Sequence, residues 1–415
     1  MRKSLIAIAV LGTLGSALAY ADEAPAADAA AAPAATAPAP IVLNGPGMNF
    51  PLVGAASPLN FDLGGPVGKV YVSGALTGMA ATADGYQKGY GRTKNSLSDI
   101  TNAQVILQKI DGPVQFFVQA GSYEVPVLGQ NYIRAAQYTA NTYGDIPTAY
   151  VKLVPNDTFS FQVGKLPTLL GSEYTFTYEN SNIQRGLLWN QENVFTRGVQ
   201  ANYAKGAVSA SVAFTDGFYS KDYSWLSGLI SYTIDDANSI SAVAAGNVSS
   251  TKLADNEAPV GLLNNASQNS QIYNLIYKYA KGPLTIQPIL QYTYVPKADI
   301  STQSTQSPTY NQSQSTWGGS VIVNYALTPE FNLAARGEYI TSSGNKTDST
   351  NLLGFGGGSS AWTATITPTY QVKNYFVRGE LSYVKVNDLA AADGFGKSGN
   401  DSSQTKVMVE TGLLF

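Results

Sequence analysis

The charged residues with most chemistry to offer lie in two near-identical stretches, "ARGEYI" and "VRGELSY". Each sets an Arg and a Glu two residues apart: Arg336 with Glu338, and Arg378 with Glu380. In a strand that spacing puts both on one face. A further set, Glu173, Glu179, Arg185 and Glu192, is spread over the polar stretch 170–195. The chain has no histidine and no cysteine. Ser-His hydrolysis, thiol nucleophiles and His-ligated zinc are thereby excluded, and only a carboxylate Ca²⁺ site stays open. No catalytic residue, metal site or cofactor is assigned. The chemistry left is electrostatic: fixed charges of both signs facing a solvated space.

Strands must position these charges. In "AWTATITPTYQV", Trp362, Ala364, Ile366, Tyr370 and Val372 fall on one parity, and Thr363, Thr365, Thr367 and Thr369 on the other. This period of two recurs in "PLTIQPILQYTYV" and "VQFFVQAG" and marks strands with one apolar and one polar face. Arg336 and Glu338 share polar parity with Asn332, and Arg378 and Glu380 with Ser382. Thr365 and Thr367 lie on the strand between. Amides on polar parity, such as Gln104, Gln119, Gln200, Asn274 and Gln291, join Lys152, Lys278, Lys406 and Glu410.

Composition says which face is wet. Charged residues are 13%, Tyr numbers 26 and Gly 40, against a usual charged fraction of about 25%. After residue 21 no apolar run reaches the ~18–20 residues of a spanning helix. Few charges, many tyrosines and alternating strands fit an all-β transmembrane antiparallel barrel, with lipid outside and water inside. Apolar-parity tyrosines are then expected in interface girdles.

Connections support this over a sandwich. Tight turns at "KIDGPV", "VPNDTF", "YAKGAV", "TIDDANSI", "YAKGPL", "ALTPEF" and "QVKNYF" alternate with longer polar stretches, as short periplasmic turns and long external loops do. About 16 strands are expected across 67–415. The longest connection, 170–195, joins the fifth and sixth. Within it "NSNIQRGLLW" is expected to form a short helix, with Asn180 or Ser181 as cap.

The N-terminus reads as an export signal. Residues 1–21 have a basic start (Arg2, Lys3), an apolar run and A-x-A at Ala19 and Ala21, so cleavage is expected before Asp22. Removing those two of the 25 basic residues leaves 23 against 28 acidic, a net charge of −5. No basic patch points to nucleic acid. Residues 22–40 are a Pro/Ala-rich periplasmic linker, and 41–66 an irregular segment. In the last strand Phe415, Leu413, Thr411, Val409 and Val407 share one face, and Lys406, Met408, Glu410 and Gly412 the other. That strand must pair with the first to leave no open edge in lipid.

The signal, the strand count and the terminal "VETGLLF" resemble outer-membrane β-barrel porins of Gram-negative bacteria. The stretch "VGKLPTLLGSEYTFTYENSNIQRGLLWNQEN" is similar to the OmpL-like β-barrel porin family, a likeness running from about Val67 to Phe415. It implies an outer-membrane pore for passive diffusion of small hydrophilic solutes and ions, and not an enzyme. Likeness to sixteen-stranded general porins implies three more features. The 170–195 loop would fold inward as a constriction carrying Glu173, Glu179, Arg185 and Glu192. The wall opposite would carry Arg336, Glu338, Arg378, Glu380, Thr365 and Thr367, either as a basic wall facing an acidic loop or as locally paired charges. The chain would be a homotrimer in outer-membrane lipid, with Phe415 as the signal read by the assembly machinery. A channel specific for sugars or organic acids, or a structural or adhesive barrel, are the alternatives.

Overall fold

The computed structural model describes residues 52, 54, 58–85, 96–249, 269–297, 313–346 and 351–415. The expected signal 1–21 and linker 22–40 lie outside them, as does most of 41–57.

Sixteen antiparallel strands form a closed ring. They are β2 (Lys69–Ala83), β3 (Ser96–Lys109), β4 (Val114–Tyr123), β5 (Thr148–Leu153), β6 (Phe159–Pro167), β7 (Phe195–Lys205), β8 (Val208–Thr215) and β9 (Trp225–Thr233), then β10 (Asn238–Asn247), β11 (Gln271–Lys281), β12 (Leu284–Val295), β13 (Gln314–Ala326), β14 (Phe331–Ser342), β15 (Ser360–Val372), β16 (Tyr375–Asn387) and β17 (Ser403–Leu414). Each pairs with its sequence neighbours, and β17 closes the ring on β2 in the register Leu414↔Ala75 to Lys406↔Ala83. Closure leaves no row of unpaired peptide groups facing lipid, the condition for sheet to cross a bilayer. Among the described residues no helix is long and apolar enough to cross a membrane.

Alternation decides which face is which. On β15, Trp362, Ile366 and Tyr370 are exposed, whereas Thr363, Thr365, Thr367 and Thr369 are buried. The same split holds on β14 and β16, where Tyr339, Val377 and Leu381 face out and Arg336, Glu338, Arg378 and Glu380 face in. Turning the latter four to lipid at midplane would cost ~2–4 kcal/mol for each cation. Outside, Tyr273, Tyr292 and Trp317 stack in a row, with ring centroids 6.2 and 4.5 Å apart.

Short connections of two to five residues (110–113, 154–158, 206–207, 234–237, 282–283, 327–330 and 373–374) alternate with eight longer ones. The short-turn and long-loop ends of the barrel are thereby distinct.

Phe415 continues the closure. Its N–H donates to Gly74 O at 3.0 Å and its carbonyl accepts from Gly74 N at 2.8 Å. Its ring lies over Gly74, where a Cβ would come 2.5 Å from Phe415 Cζ. Just past it, along the same edge of β2, runs a short strand β1 (Leu59–Asp62), registered from Leu59↔Val72 to Asp62↔Lys69. The 41–66 stretch is therefore not irregular throughout. A second departure from expectation is helix α1 (Ala135–Asn141), in the connection between β4 and β5.

Candidate functional site: the barrel lumen

The segment 168–194 leaves β6 and returns to β7. Its base is bent by Gly164 and Gly198, register partners with φ of +140° and +158°. A Cβ at either would run into the neighbouring strand at Ala149 O or Phe214 O, so the close approach requires glycine. The segment then crosses to inward-facing residues of the far wall. Asn182 Nδ2 donates to Thr367 Oγ1 of β15 at 2.7 Å. Gln191 Oε1 accepts from Thr316 of β13 and Gln291 of β12 at 2.9 and 3.1 Å. On the near side, Tyr178 donates its hydroxyl to Gln104 Oε1 at 2.9 Å, and Asn102 donates to Thr177 Oγ1 at 2.7 Å.

The stretch expected to be helical, 180–189, is not. Two 3-10 turns, Thr177–Glu179 and Trp189–Gln191, bracket it. The residues between send their backbone N–H groups sideways to carboxylates rather than up a helix. Ile183 N and Gln184 N donate to Glu380 at 2.5 and 3.0 Å. Gly186 N donates to Glu173 Oε2 at 2.6 Å, and Leu187 N to Glu338 Oε2 at 3.1 Å. Buried N–H groups must be paired, and charged acceptors outbid the i−4 carbonyls here.

The wall charges meet this segment in two clusters. Arg336 is ion-paired with Glu173 of the segment and lies 3.5 Å from Glu338 Oε2, and it donates to Gln184 O at 2.8 Å. Arg378 pairs with Glu410, its register partner on β17, through Nε at 2.8 Å and Nη2 at 2.6 Å. It also donates to the segment at Asn180 O (2.8 Å) and Thr177 O (2.7 Å). Glu410 accepts further from Thr177 and Thr101. Glu380, the sequence neighbour of Arg378, instead binds the segment and Thr367 (2.9 Å). Thr363 donates to Glu338 at 3.1 Å. Arg336 and Arg378 are only 2% and 1% exposed. Five of the six wall residues expected from sequence (Arg336, Glu338, Thr367, Arg378, Glu380) thus meet the segment directly. Thr365 faces inward, buried, between Arg336 and Ser382 in register.

The expected loop residues divide by role. Glu173 reaches the wall. Glu179 accepts from Phe176 N at 3.0 Å and shapes the first 3-10 turn. Arg185 keeps its guanidinium inside the segment, donating to Thr175 O (3.0 Å), Asn182 O (2.8 Å) and Ile183 O (2.5 Å). Glu192 is buried where the second 3-10 turn ends. Neither charge arrangement considered from sequence describes the geometry alone: Arg336 meets both Glu338 on its own strand and Glu173 of the loop, and Arg378 meets Glu410 on the next strand rather than Glu380.

Three participants were outside the expected site. Glu410 is the partner of Arg378. Gln184 bridges Glu380 and Ser382 at 2.9 and 2.7 Å. The connection 124–147 joins the segment edge-on: Arg185 N donates to Pro126 O (2.8 Å) and Leu128 N to Arg185 O (2.9 Å). The apolar run Val125, Val127, Leu128 was the available signal for the last. On the β9–β13 side the lumen also holds buried Leu229, Val243, Ile276, Ile289 and Ile322, in one apolar cluster with Leu169, Leu170 and Leu188 of the segment.

Residues 69–415 match the family described as "Putative beta-barrel porin-2, OmpL-like". A search of curated protein sequences found no match. Similar solved structures include the anion-selective porin from Comamonas acidovorans (13% identity, TM-score 0.53, covering 83% of this chain and 99% of that one). Outer-membrane OmpT of Vibrio cholerae is 12% identical, with TM-score 0.54 and coverage of 86% and 100%. The channel DcaP of Acinetobacter baumannii is 13% identical, with TM-score 0.54 and coverage of 83% and 97%.

Proposed function

Because the chain belongs to the OmpL-like β-barrel porin family, we propose that it forms a water-filled outer-membrane channel for passive diffusion of small hydrophilic solutes and ions, restricted by the 170–195 loop. The family and the closed sixteen-stranded barrel support a porin-like channel of the outer membrane, and a channel rather than an enzyme. The restriction rests on one observation: buried Arg336 and Arg378, with Glu338, Glu380 and Glu410, bind the loop from the far wall. A loop held by charge-assisted hydrogen bonds at the far wall and by neutral ones at the near wall sits across the path a solute must take. Glu173, Glu179, Arg185 and Glu192 act through the loop's shape and docking, not as a ring of exposed charges. Thr365 and Thr367 line the wall beneath it.

The same reading makes residues 1–21 a cleaved export signal, 22–40 a periplasmic linker, and Phe415 with the last strand the element recognised during outer-membrane assembly. It places the barrel in lipid as a homotrimer.

The test is deletion of 176–190 with both hairpin ends kept, in a protein checked for heat-modifiable barrel folding. Single-channel conductance in planar bilayers should rise. Unchanged conductance in a folded, inserted deletion variant would remove the loop from the path. One observation favours a second reading, a structural barrel with a filled lumen: the middle of the lumen is buried on all sides, from Gln104 and Gln119 to Asn274, Gln291 and Thr367. That reading expects no conductance from the parent protein, and solute-specific transport expects conductance blocked by one solute class.

A further inference from the structure

From the distribution of charge around the lumen we infer that the channel prefers small anions, with Lys152 and Lys278 as the selectivity-determining residues. This rests on the channel reading above. The ten consecutive strands β4 to β13 contain no Asp or Glu on either face. The polar groups on their inward faces, set among the apolar residues of the β9–β13 side, are hydroxyls, amides and two ammonium groups, Lys152 on β5 and Lys278 on β11.

Both lysines lie within one turn-spacing of the short-turn end, where the lumen opens. Some inward side chains there (Ser73, Gln115, Lys152, Lys278, Asn332) are partly exposed, while Gln108, Ser209, Ser231 and Asn324 at the same end, like those of the mid-barrel, are buried. Register places Lys152 directly between two amides, Gln115 on β4 and Gln162 on β6, and Gln162 faces Gln200 on β7. A row of amide donors around an ammonium can replace the hydration of a carboxylate or halide ion. Lys278 sits six strands further round the ring, so the two cations face the same vestibule from different walls.

The buried lumen carboxylates have partners of their own. Glu173, Glu338, Glu380 and Glu410 are buried and held by Arg336, Arg378, backbone N–H groups and threonines. Glu124, Glu179 and Glu192 are buried. The acids nearest the vestibule, Asp111, Asp157, Asp235, Asp236 and Glu330, belong to the short turns on the outer rim, and Asp111 is paired with Lys109. Charges on the rim are screened beyond about 10 Å at 0.1 M salt. Charges inside the low-dielectric wall act on an ion passing close by.

The experiment is the reversal potential of the full-length channel in planar bilayers under a low-salt KCl gradient. The parent should favour chloride over potassium. Lys152→Gln with Lys278→Gln should lower the chloride-to-potassium permeability ratio by about three-fold per charge, about ten-fold together, and the effect should fade at 1 M salt. Lys152→Arg with Lys278→Arg should keep the parent ratio. Lys205→Gln with Lys281→Gln removes the same charge from the lipid-facing parity of β7 and β11 and should change little. A parent that favours potassium, an unchanged ratio in the Gln pair, or an equal change in the lipid-facing pair would overturn the inference while leaving the channel in place. A folded, heat-modifiable parent with no conductance would overturn the channel itself.

Discussion

Gly186 is the point where the loop presses closest on the wall, and Gly186→Ala should pry the two apart. A Cβ at Gly186 would come within 2.7 Å of Glu338 Cδ. Neither side can yield cheaply. Glu338 is buried, accepting from Leu187 N and Thr363 Oγ1, both at 3.1 Å, and facing Arg336. Gly186 itself donates to Glu173, which is ion-paired with Arg336. Overpacking one methyl group into such a site costs ~1–3 kcal/mol. If the strain breaks the Leu187–Glu338 hydrogen bond, a bond to a charged group worth ~1.5–3 kcal/mol goes with it. A total near 3 kcal/mol multiplies the population of undocked loop by about 100, at ~1.4 kcal/mol per factor of ten. The assay is single-channel recording of Gly186→Ala beside the parent, with limited proteolysis of the 176–190 stretch in intact barrels. Conductance should rise or flicker, and cleavage should accelerate. Glu338→Asp, one methylene shorter, should relieve the clash, so Gly186→Ala should cost less in that background. Parent-like conductance and protease resistance in Gly186→Ala, or an equal cost in both backgrounds, would refute the contact as the loop's anchor.

Removing Arg378 by Arg378→Gln leaves Glu410 buried without its cation and should destabilise the folded barrel by ~3–5 kcal/mol, read as a lower temperature for loss of the compact form on gels. Arg378→Gln with Glu410→Gln should recover most of that loss. Gly74→Val places a branched side chain where the Phe415 ring lies, and should slow barrel assembly into liposomes more than Gly228→Val, whose Cβ comes no nearer than 4.0 Å to Ser211 O. Asp235 accepts from Ala237 N (2.8 Å) and Asn238 Nδ2 (2.7 Å) in a short turn, and these donors hold its carboxyl below the usual range. Its folded-state pKa is thus below the unfolded value, so its stabilisation is present above pH ~4 and is lost as pH falls through the folded value. The urea midpoint of Asp235→Asn should approach that of the parent below pH 4.

The wall was legible in the sequence because period two is a strong signal when one face meets lipid. The Thr ladder of β15 and the R-G-E repeats could take only one orientation, and the strand bounds follow within a few residues. Where the period gave way, so did legibility. Residues 180–188 carry helix-compatible composition, yet Glu380, Glu173 and Glu338 draw off the N–H groups a helix would use. Those acceptors lie 13 to 197 residues away or on other strands, and local pattern cannot report them. From sequence, residues 126–144 of the 124–147 connection are expected as one of the longer polar external stretches. Its apolar residues are explained only by the segment it packs on.

The partner of Arg378 shows what finer reading would have needed. Glu380 is nearest in sequence and on the same face, yet side chains two apart on one strand project in parallel, about 6.5–7 Å from one another. A residue directly opposite on the next strand stands about 4.5–5.5 Å away. Arg378 accordingly pairs with Glu410 across the β16–β17 ladder. Arg336 has no acid opposite it, facing Ile322 on one side and Thr365 on the other. It must therefore take its carboxylates from Glu338 on its own strand and from Glu173 in the loop. The two R-G-E repeats are thus alike in sequence and unlike in duty. Arg378 can hold its charge balance within the wall alone. Arg336 needs Glu173 from the loop to balance its charge in full. Glu173→Gln should therefore loosen the loop and leave the wall intact, whereas Glu410→Gln should weaken the wall itself. Conductance separates from barrel stability in the first variant; if both change together in both variants, the loop and the wall are one unit and the distinction between them fails.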